Sequence, residues 1–346
     1  MGKKLILAVA GAGKTTKILN DISEKKRSLI LTYTNQNLAS LEASLRDKNN
    51  GAIPHYVEVR TYFSFLYSFC IRPYFSYQLR DKGFVYGAIP VSAQKTKRST
   101  REHYLTHNGY LFAARAAKLI QETNTITTIT KRLCRHFDNL YVDEVQDFAA
   151  NDFNFLLELA QSEIPTLYVG DYFQHTFDTS RDGNTRSTLF KKGYEAYVGE
   201  FKKAGFDVDT TTLSNSWRCS PEVCSYITDA TGIEIGSSRK DVTKVKFVTE
   251  PADILNVFND PTIVKLFYQN QSNYACYANN WGNSKGMDRY QNVCVVVNQS
   301  TKKLLSEGRG RDLPPSTKNK FYVACTRARG DLLFVDEKQL AEVLAE

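Results

Sequence analysis

The chain has no CxxC pair, no apolar run of membrane-spanning length and no internal repeat. Its seven cysteines (70, 134, 219, 224, 276, 294 and 325) are odd in number and scattered. Neither a disulfide framework nor a zinc site is therefore expected, and a reducing cytoplasm suits them best. The apolar stretch after Met1-Gly2-Lys3-Lys4 is too short for the core of a secretory leader, so a soluble protein with no membrane partner is expected. Charge of one sign barely prevails. The 45 Lys+Arg against 37 Asp+Glu leave +8, which modestly favours a polyanionic partner without naming one. What is present is ordinary globular composition, 42% hydrophobic over 346 residues, enough for two or three compact domains.

The most informative segment is AVAGAGKTT at 8–16, directly after the apolar run Leu5-Ile6-Leu7. A strand that feeds a tight glycine loop into a helix aims several backbone N–H groups and the positive helix end at one spot. Ala10, Gly11, Ala12, Gly13, Lys14, Thr15 and Thr16 would cradle a polyphosphate there. Lys14 would reach the outer phosphates, and the Thr15 hydroxyl would help hold Mg2+. By itself this loop says that a nucleoside triphosphate binds, and leaves open what its energy drives.

Strand-like runs at 5–9, 27–33, 56–62, 139–142 and 166–169 alternate with helical patterns, which predicts a parallel sheet covered by helices. A second set at 245–248, 263–268, 292–297 and 331–335, with helices near 220–229, 318–329 and 337–345, predicts a second α/β unit in tandem. The stretch 180–209 lacks a long apolar run, so the boundary is expected near 205–212, giving domains over 1–208 and 209–346. Aromatic residues and the basic tract QKTKRSTR at 94–101 mark an insertion at about 71–132 in the first.

Two further segments carry chemistry. NLYV runs into Asp143-Glu144-Val145-Gln146-Asp147, which puts carboxylates at the carboxyl edge of the sheet, where ligands bind. Asp143 is suited to hold Mg2+, and Glu144 to accept a proton from the water attacking the terminal phosphate. One strand later, Gly170-Asp171-Tyr172-Phe173-Gln174 places Gln174 to hydrogen-bond that phosphate or that water.

In order and spelling these segments resemble superfamily 1 helicases of the UvrD/Rep type from residue 5 to 335. Thr32-Tyr33-Thr34-Asn35 resembles the family's TFTN, and Arg60-Thr61-Tyr62-Phe63 its TFH. DEVQD is similar to DExQD, VGDYFQ to VGDxxQ, LSNSWR at 213–218 to LxxNYR, and YVACTRA at 322–328 to YVxxTRA. The resemblance implies two tandem RecA-like P-loop NTPase domains that hydrolyse ATP in the cleft between them and move along single-stranded DNA. It makes Arg218 and Arg327 candidate arginine fingers and Trp217 the platform for adenine. Gly286 and Asp288, in NSKGMD, fall near the ribose. Tyr33, Thr34, Asn35, Thr61 and Tyr62 become candidate DNA contacts.

The departures from that pattern matter as much. The family's leading segment, whose glutamine reads adenine, has no counterpart here, so loose adenine selectivity is expected. Asn280 and Gly282 stand where a DNA-gripping threonine and histidine belong. No aromatic occupies the place of the DNA-stacking tryptophan near Thr179, for which Tyr33, Tyr62 or Phe177 are the expected substitutes. Only about 60 residues separate Arg218 from Lys285, too few for the family's large second insertion. The tract at 95–101 is a candidate for restoring phosphate-backbone affinity. The resulting expectation is a stripped ATP-dependent motor on single-stranded nucleic acid, DNA before RNA. The alternative is a nucleotide-driven switch acting on a partner protein, such as a nuclease in phage defence.

Overall fold

The computed structural model describes residues 2–176, 182, 185, 186 and 188–345. The chain is an α/β protein of two compact units. The first unit comprises Met1–Ile6, Thr15–Gly170 and Asp178–Asp209; the second comprises Leu7–Lys14, Asp171–Phe177 and Thr210–Glu346. The phosphate loop as far as Lys14 and the Asp171–Gln174 part of the GDYFQ turn thus group with the second unit, although the strands that lead into them belong to the first sheet.

That sheet has six strands: β1 (Lys3–Leu7), β2 (Ser28–Thr32), β3 (Val57–Thr61), β4 (Asn139–Val142), β5 (Thr166–Gly170) and β6 (Phe206–Asp209). Their order is β3-β2-β4-β5-β1-β6. The pairs β2–β3, β2–β4, β4–β5 and β1–β6 are parallel. All five residues of β2 (SLILT) are buried, as continuous apolar runs are when helices cover both faces. Parallel strands align their carboxyl ends, so Leu7, Thr32, Thr61, Val142 and Gly170 bring the segments after them to one edge of the sheet.

The stretch 180–209 holds two elements that its weak apolar pattern did not announce, a helix at Tyr194–Lys203 and the edge strand β6. The helix packs through Tyr197, Val198 and Phe201, a stripe too narrow to stand out in sequence. The insertion carries a parallel two-stranded pair, Phe84–Val85 with Leu111–Phe112, among short helices. Its basic tract is partly tied down: Arg98 pairs with Glu122 at 2.9 Å, and the Arg101 guanidinium donates to Leu79 O.

The second unit holds a five-stranded sheet of β7 (Val245–Phe247), β8 (Ile263–Phe267), β9 (Ala278–Asn280), β10 (Asn292–Val297) and β11 (Leu332–Asp336), in the order β7-β11-β10-β8-β9, all parallel. Side chains alternate across it. Val293, Val295 and Val297 face a core with Trp281, Phe321 and Phe334, while Cys294 and Val296 face a second core with Ile254, Phe267 and Leu340. The helix expected at 318–329 runs instead over Pro315–Cys325. Proline at its first turn starts it early, and Thr326 caps it, which leaves Arg327 beyond the helix end. The helix Pro221–Thr231 is bounded by Ser220, whose side chain caps Val223 N, and by Gly232 at φ +73°. Among the described residues no helix is long and apolar enough to cross a membrane.

Candidate nucleotide site

The loop after β1 depends on two glycines with left-handed backbones, Gly11 at φ +71° and Gly13 at φ +87°. At Gly11 space is also limiting. A Cβ there would lie 2.7 Å from Arg218 Cβ and 2.8 Å from Ser216 Oγ. The close approach is made by backbone bonds: Trp217 N donates to Gly11 O at 2.9 Å, and Val9 N to Leu213 O at 2.9 Å. Lys14 opens a helix over Lys14–Asp21, so Thr15 and Thr16 lie in its first turn, where orphan N–H groups collect.

In the first unit the Thr15 hydroxyl donates to Asp143 Oδ2 at 3.1 Å, which joins the phosphate-loop hydroxyl to the acidic turn. Asp143 is buried, and its other oxygen accepts Glu144 N at 3.0 Å. Glu144 has φ +55°, a left-handed conformation rare outside glycine that costs roughly 1 kcal/mol or more. It is held there from two sides. Gln146 Nε2 donates to the Glu144 carboxylate, and Val145 and Gln146 pack so tightly on Gly170 that a Cβ on the glycine would meet Gln146 Oε1. A hydroxyl and one carboxylate, completed by phosphate oxygens and water, are the donor set Mg2+ prefers. Among the described residues no cluster of three His, Cys, Asp or Glu side chains forms a cage, and such a magnesium site needs none.

In the second unit a buried chain of hydrogen bonds runs from the phosphate loop. Ala10 N donates to Tyr322 Oη at 2.8 Å, and Tyr322 Oη donates to Asp171 Oδ2 at 3.0 Å. The same carboxyl group accepts Gln174 Nε2 at 2.9 Å and Phe173 N at 3.1 Å. Burial, reinforced by the Asp171 charge, pushes the Tyr322 phenol well above its ordinary value, so the group stays a donor. Gln174, expected at the terminal phosphate or its attacking water, therefore has its amide donor engaged by Asp171. Tyr322 and Asp171 lie within the YVACTRA and VGDYFQ segments without an expected role of their own; the signal available was a tyrosine hydroxyl inside the apolar run Phe321–Cys325.

Arg218, Arg327 and Asp288 come together in the second unit. Asp288 Oδ1 lies 2.5 Å from Arg218 Nη2 and 3.2 Å from Arg327 Nη1. Arg327 is 1% exposed, and its Nε donates to Val323 O. Arg218 Nη1 donates to Thr326 O at 3.2 Å, while its Nε is buried with no hydrogen-bond partner among the described residues. Partial burial pushes the Asp288 carboxyl up, but the two arginines outweigh it and hold the group below the usual carboxylate range. Asp288 was expected near the ribose; here it bridges both candidate fingers, because two guanidinium groups brought together need a counter-charge. Gly286, at φ +78°, forms the turn before it. Trp217 is 67% exposed, so its indole face is open rather than part of a core.

Residues 101–336 match the family model described as the viral superfamily 1 RNA helicase core domain. The chain belongs to that family. The match takes in the acidic turn, the Asp171 turn and both arginine segments of this superfamily 1 helicase core, and begins after the phosphate loop. It shows the superfamily without singling out the UvrD/Rep branch. No curated protein matches the chain. Among solved structures it is similar to the arterivirus nonstructural protein 10 helicase in complex with DNA, at 14% identity and a TM-score of 0.49, covering 99% of this chain and 63% of that one. The same arterivirus helicase in a second structure gives 13% identity and a TM-score of 0.49, covering 99% and 61%. The chain thus spans less than two thirds of those helicases' length.

The candidate nucleic-acid contacts of this helicase-family chain divide sharply. Thr34 and Thr61 are helix caps, accepting Asn37 N at 3.1 Å and Ser64 N at 3.3 Å. Asn35 is exposed at the first turn of the helix Asn35–Lys48, and Tyr33 is half-buried. Tyr62 has to be corrected. It is fully buried, with its hydroxyl donating to Asp152 Oδ1 at 2.9 Å, and so presents no face to a base. The apolar ring packs between Phe148 and Phe155, which offsets more free energy than a solvent-facing position would. Phe177 lies outside the described residues.

Proposed function

We propose that the chain is an ATP-dependent translocase on single-stranded nucleic acid. The observation that carries the reading is the Thr15–Asp143 hydrogen bond, which joins the phosphate-loop hydroxyl to the carboxylate that follows β4, with β5 between β4 and β1 in the sheet, the pair required for nucleotide with magnesium. In this reading the loop N–H groups and Lys14 bind the phosphates, and Thr15 and Asp143 hold Mg2+. The bound metal neutralises charge on the transferred phosphoryl group. Glu144, set by its backbone and by Gln146, takes the proton from the attacking water. Arg218 and Arg327 stabilise charge at the terminal phosphate, and Trp217 stacks on the base. Gln174, through Asp171 and Tyr322, ties the occupied loop to the helix that ends just before Arg327.

The family description names RNA helicases, whereas the motif spelling resembles the DNA-tracking UvrD/Rep branch and its 3′ to 5′ movement; strand type and polarity are both measured. The test is ATPase rate with and without single-stranded RNA and DNA, followed by movement on end-blocked strands. We expect stimulation by at least one strand, abolished by Glu144→Gln and by Lys14→Ala. An ATPase indifferent to both nucleic acids, with no displacement from either end, would overturn the translocase.

A further inference from the structure

Lys14, Arg218, Asp288 and Arg327 all belong to the second unit, and the acidic member is the one to which the three basic ones are directed. Both guanidinium groups reach the same carboxylate oxygen, Oδ1, Arg218 through Nη2 and Arg327 through Nη1. Against the cost of partial burial, Arg218, Arg327 and Lys14 together hold the Asp288 carboxyl below the usual carboxylate range. Three positive charges thus act on one side chain. They are the same three that the proposed function directs at the phosphates of a nucleotide.

The partners in this contact differ in freedom. The Arg327 side chain is 1% exposed and that of Arg218 9%, whereas that of Asp288 is 57% exposed. Backbone carbonyls hold the arginines as well, since Arg327 Nε donates to Val323 O and Arg218 Nη1 to Thr326 O. Arg218 is also pinned at the phosphate loop, where Trp217 N donates to Gly11 O and a Cβ on Gly11 would crowd Arg218 Cβ. Asp288 is anchored through its backbone instead. Gly286 makes the turn at φ +78°, Met287 N donates to Ser284 O at 3.0 Å, and Arg329 Nε donates to Asp288 O at 2.7 Å. Its carboxylate can therefore swing into solvent by side-chain rotation while the backbone and both arginines stay in place. Two buried guanidinium groups left without an anion are costly, so the group that displaces the carboxylate must itself be negative. A phosphate meets that demand, with more charge and more acceptor oxygens than a carboxylate.

We infer that Asp288 is an internal stand-in for the terminal phosphate of the nucleotide: it holds Arg218 and Arg327 in place until that phosphate displaces it, and recovers them when the phosphate leaves. The inference rests on the function proposed above and deepens it, by giving the two arginines a positioning residue from their own unit. It also separates the two nucleotides. Binding of ATP works against the carboxylate, whereas binding of ADP, which lacks the terminal phosphate, does not.

The experiment is titration of the full chain with a non-hydrolysable ATP analogue and with ADP, alongside steady-state ATPase and thermal melting with inorganic pyrophosphate. Asp288→Asn removes the competing charge. We expect it to bind the analogue about tenfold more tightly, as when a competitor that occupies the arginines about nine-tenths of the time is lost, with ADP affinity within about twofold. The KM for ATP should fall with it, and inhibition by inorganic phosphate should strengthen, because the departing phosphate meets no replacement. Asp288→Glu keeps the charge and should keep both affinities of the unaltered protein. Without its counter-charge Asp288→Asn should melt at a lower temperature, and pyrophosphate should raise that temperature by more than it does for the unaltered protein. A variant that folds only with pyrophosphate present is the same result in stronger form. Unchanged or weaker analogue binding, an equal change for analogue and ADP as a ribose contact would give, or failure to fold even with pyrophosphate overturns the stand-in while leaving the translocase standing. An unaltered protein that binds neither nucleotide overturns both.

Discussion

Each unit buries a carboxylate, and the two are held in opposite ways. In the second unit Asp171 accepts three neutral donors, Tyr322 Oη, Gln174 Nε2 and Phe173 N. In the first, Asp182 is paired with two cations, Arg115 at 2.9 Å and Lys118 at 2.8 Å, and Arg115 also donates to Ala93 O. A carboxylate can exchange one neutral donor for another without stranding a charge on the partner it leaves. One that neutralises a buried guanidinium cannot. The first arrangement suits a site that responds to nucleotide, and the second suits a fixed joint, here between the insertion and the chain beyond the Asp171 turn.

The sharpest way to break this comparison is Asp182→Asn, which strands a buried arginine. We expect a loss of about 3 kcal/mol in urea unfolding; a loss below that from Tyr322→Phe would show that the two centres differ as described. The pH dependence sharpens the same point. Burial pushes the Asp182 carboxyl up, but Arg115 and Lys118 outweigh it, so its folded value lies below the ordinary one. Its contribution is then fully present above the unfolded value of about 4 and is lost as pH falls through the folded value. The unaltered protein should lose stability below that point more steeply than Asp182→Asn does.

Tyr322→Phe removes the bridge between Ala10 N and Asp171 and should cost about 1–2 kcal/mol, with an ATPase rate lowered about tenfold. A large stability loss with unchanged ATPase would make Tyr322 a packing residue only. The smallest expected effect is Trp217→Ala. An exposed indole contributes little to folding, so stability should stay within about 0.5 kcal/mol while nucleotide affinity weakens severalfold. Unchanged affinity measured by nucleotide titration would remove Trp217 from the site.

Much of the candidate nucleotide site was legible because its residues sit in contiguous segments at strand ends, where a parallel sheet gathers the loops on one edge. AVAGAGKTT, DEVQD and YVACTRA could be read one at a time. The buried state of Tyr62 could not, since a tyrosine after a strand is spelled alike whether it faces a base or Asp152. Nor could the helix at Tyr194–Lys203, whose apolar stripe is only one turn deep.

By itself, then, the sequence determined the α/β architecture and the glycine loop that leads from β1 into a helix, because strand runs and glycines act through local geometry. The tertiary structure alone decided that Asp288 joins Arg218 to Arg327 and that Tyr322 links the loop to Asp171. Those pairings span many residues of chain, and only packing fixes which distant side chains meet.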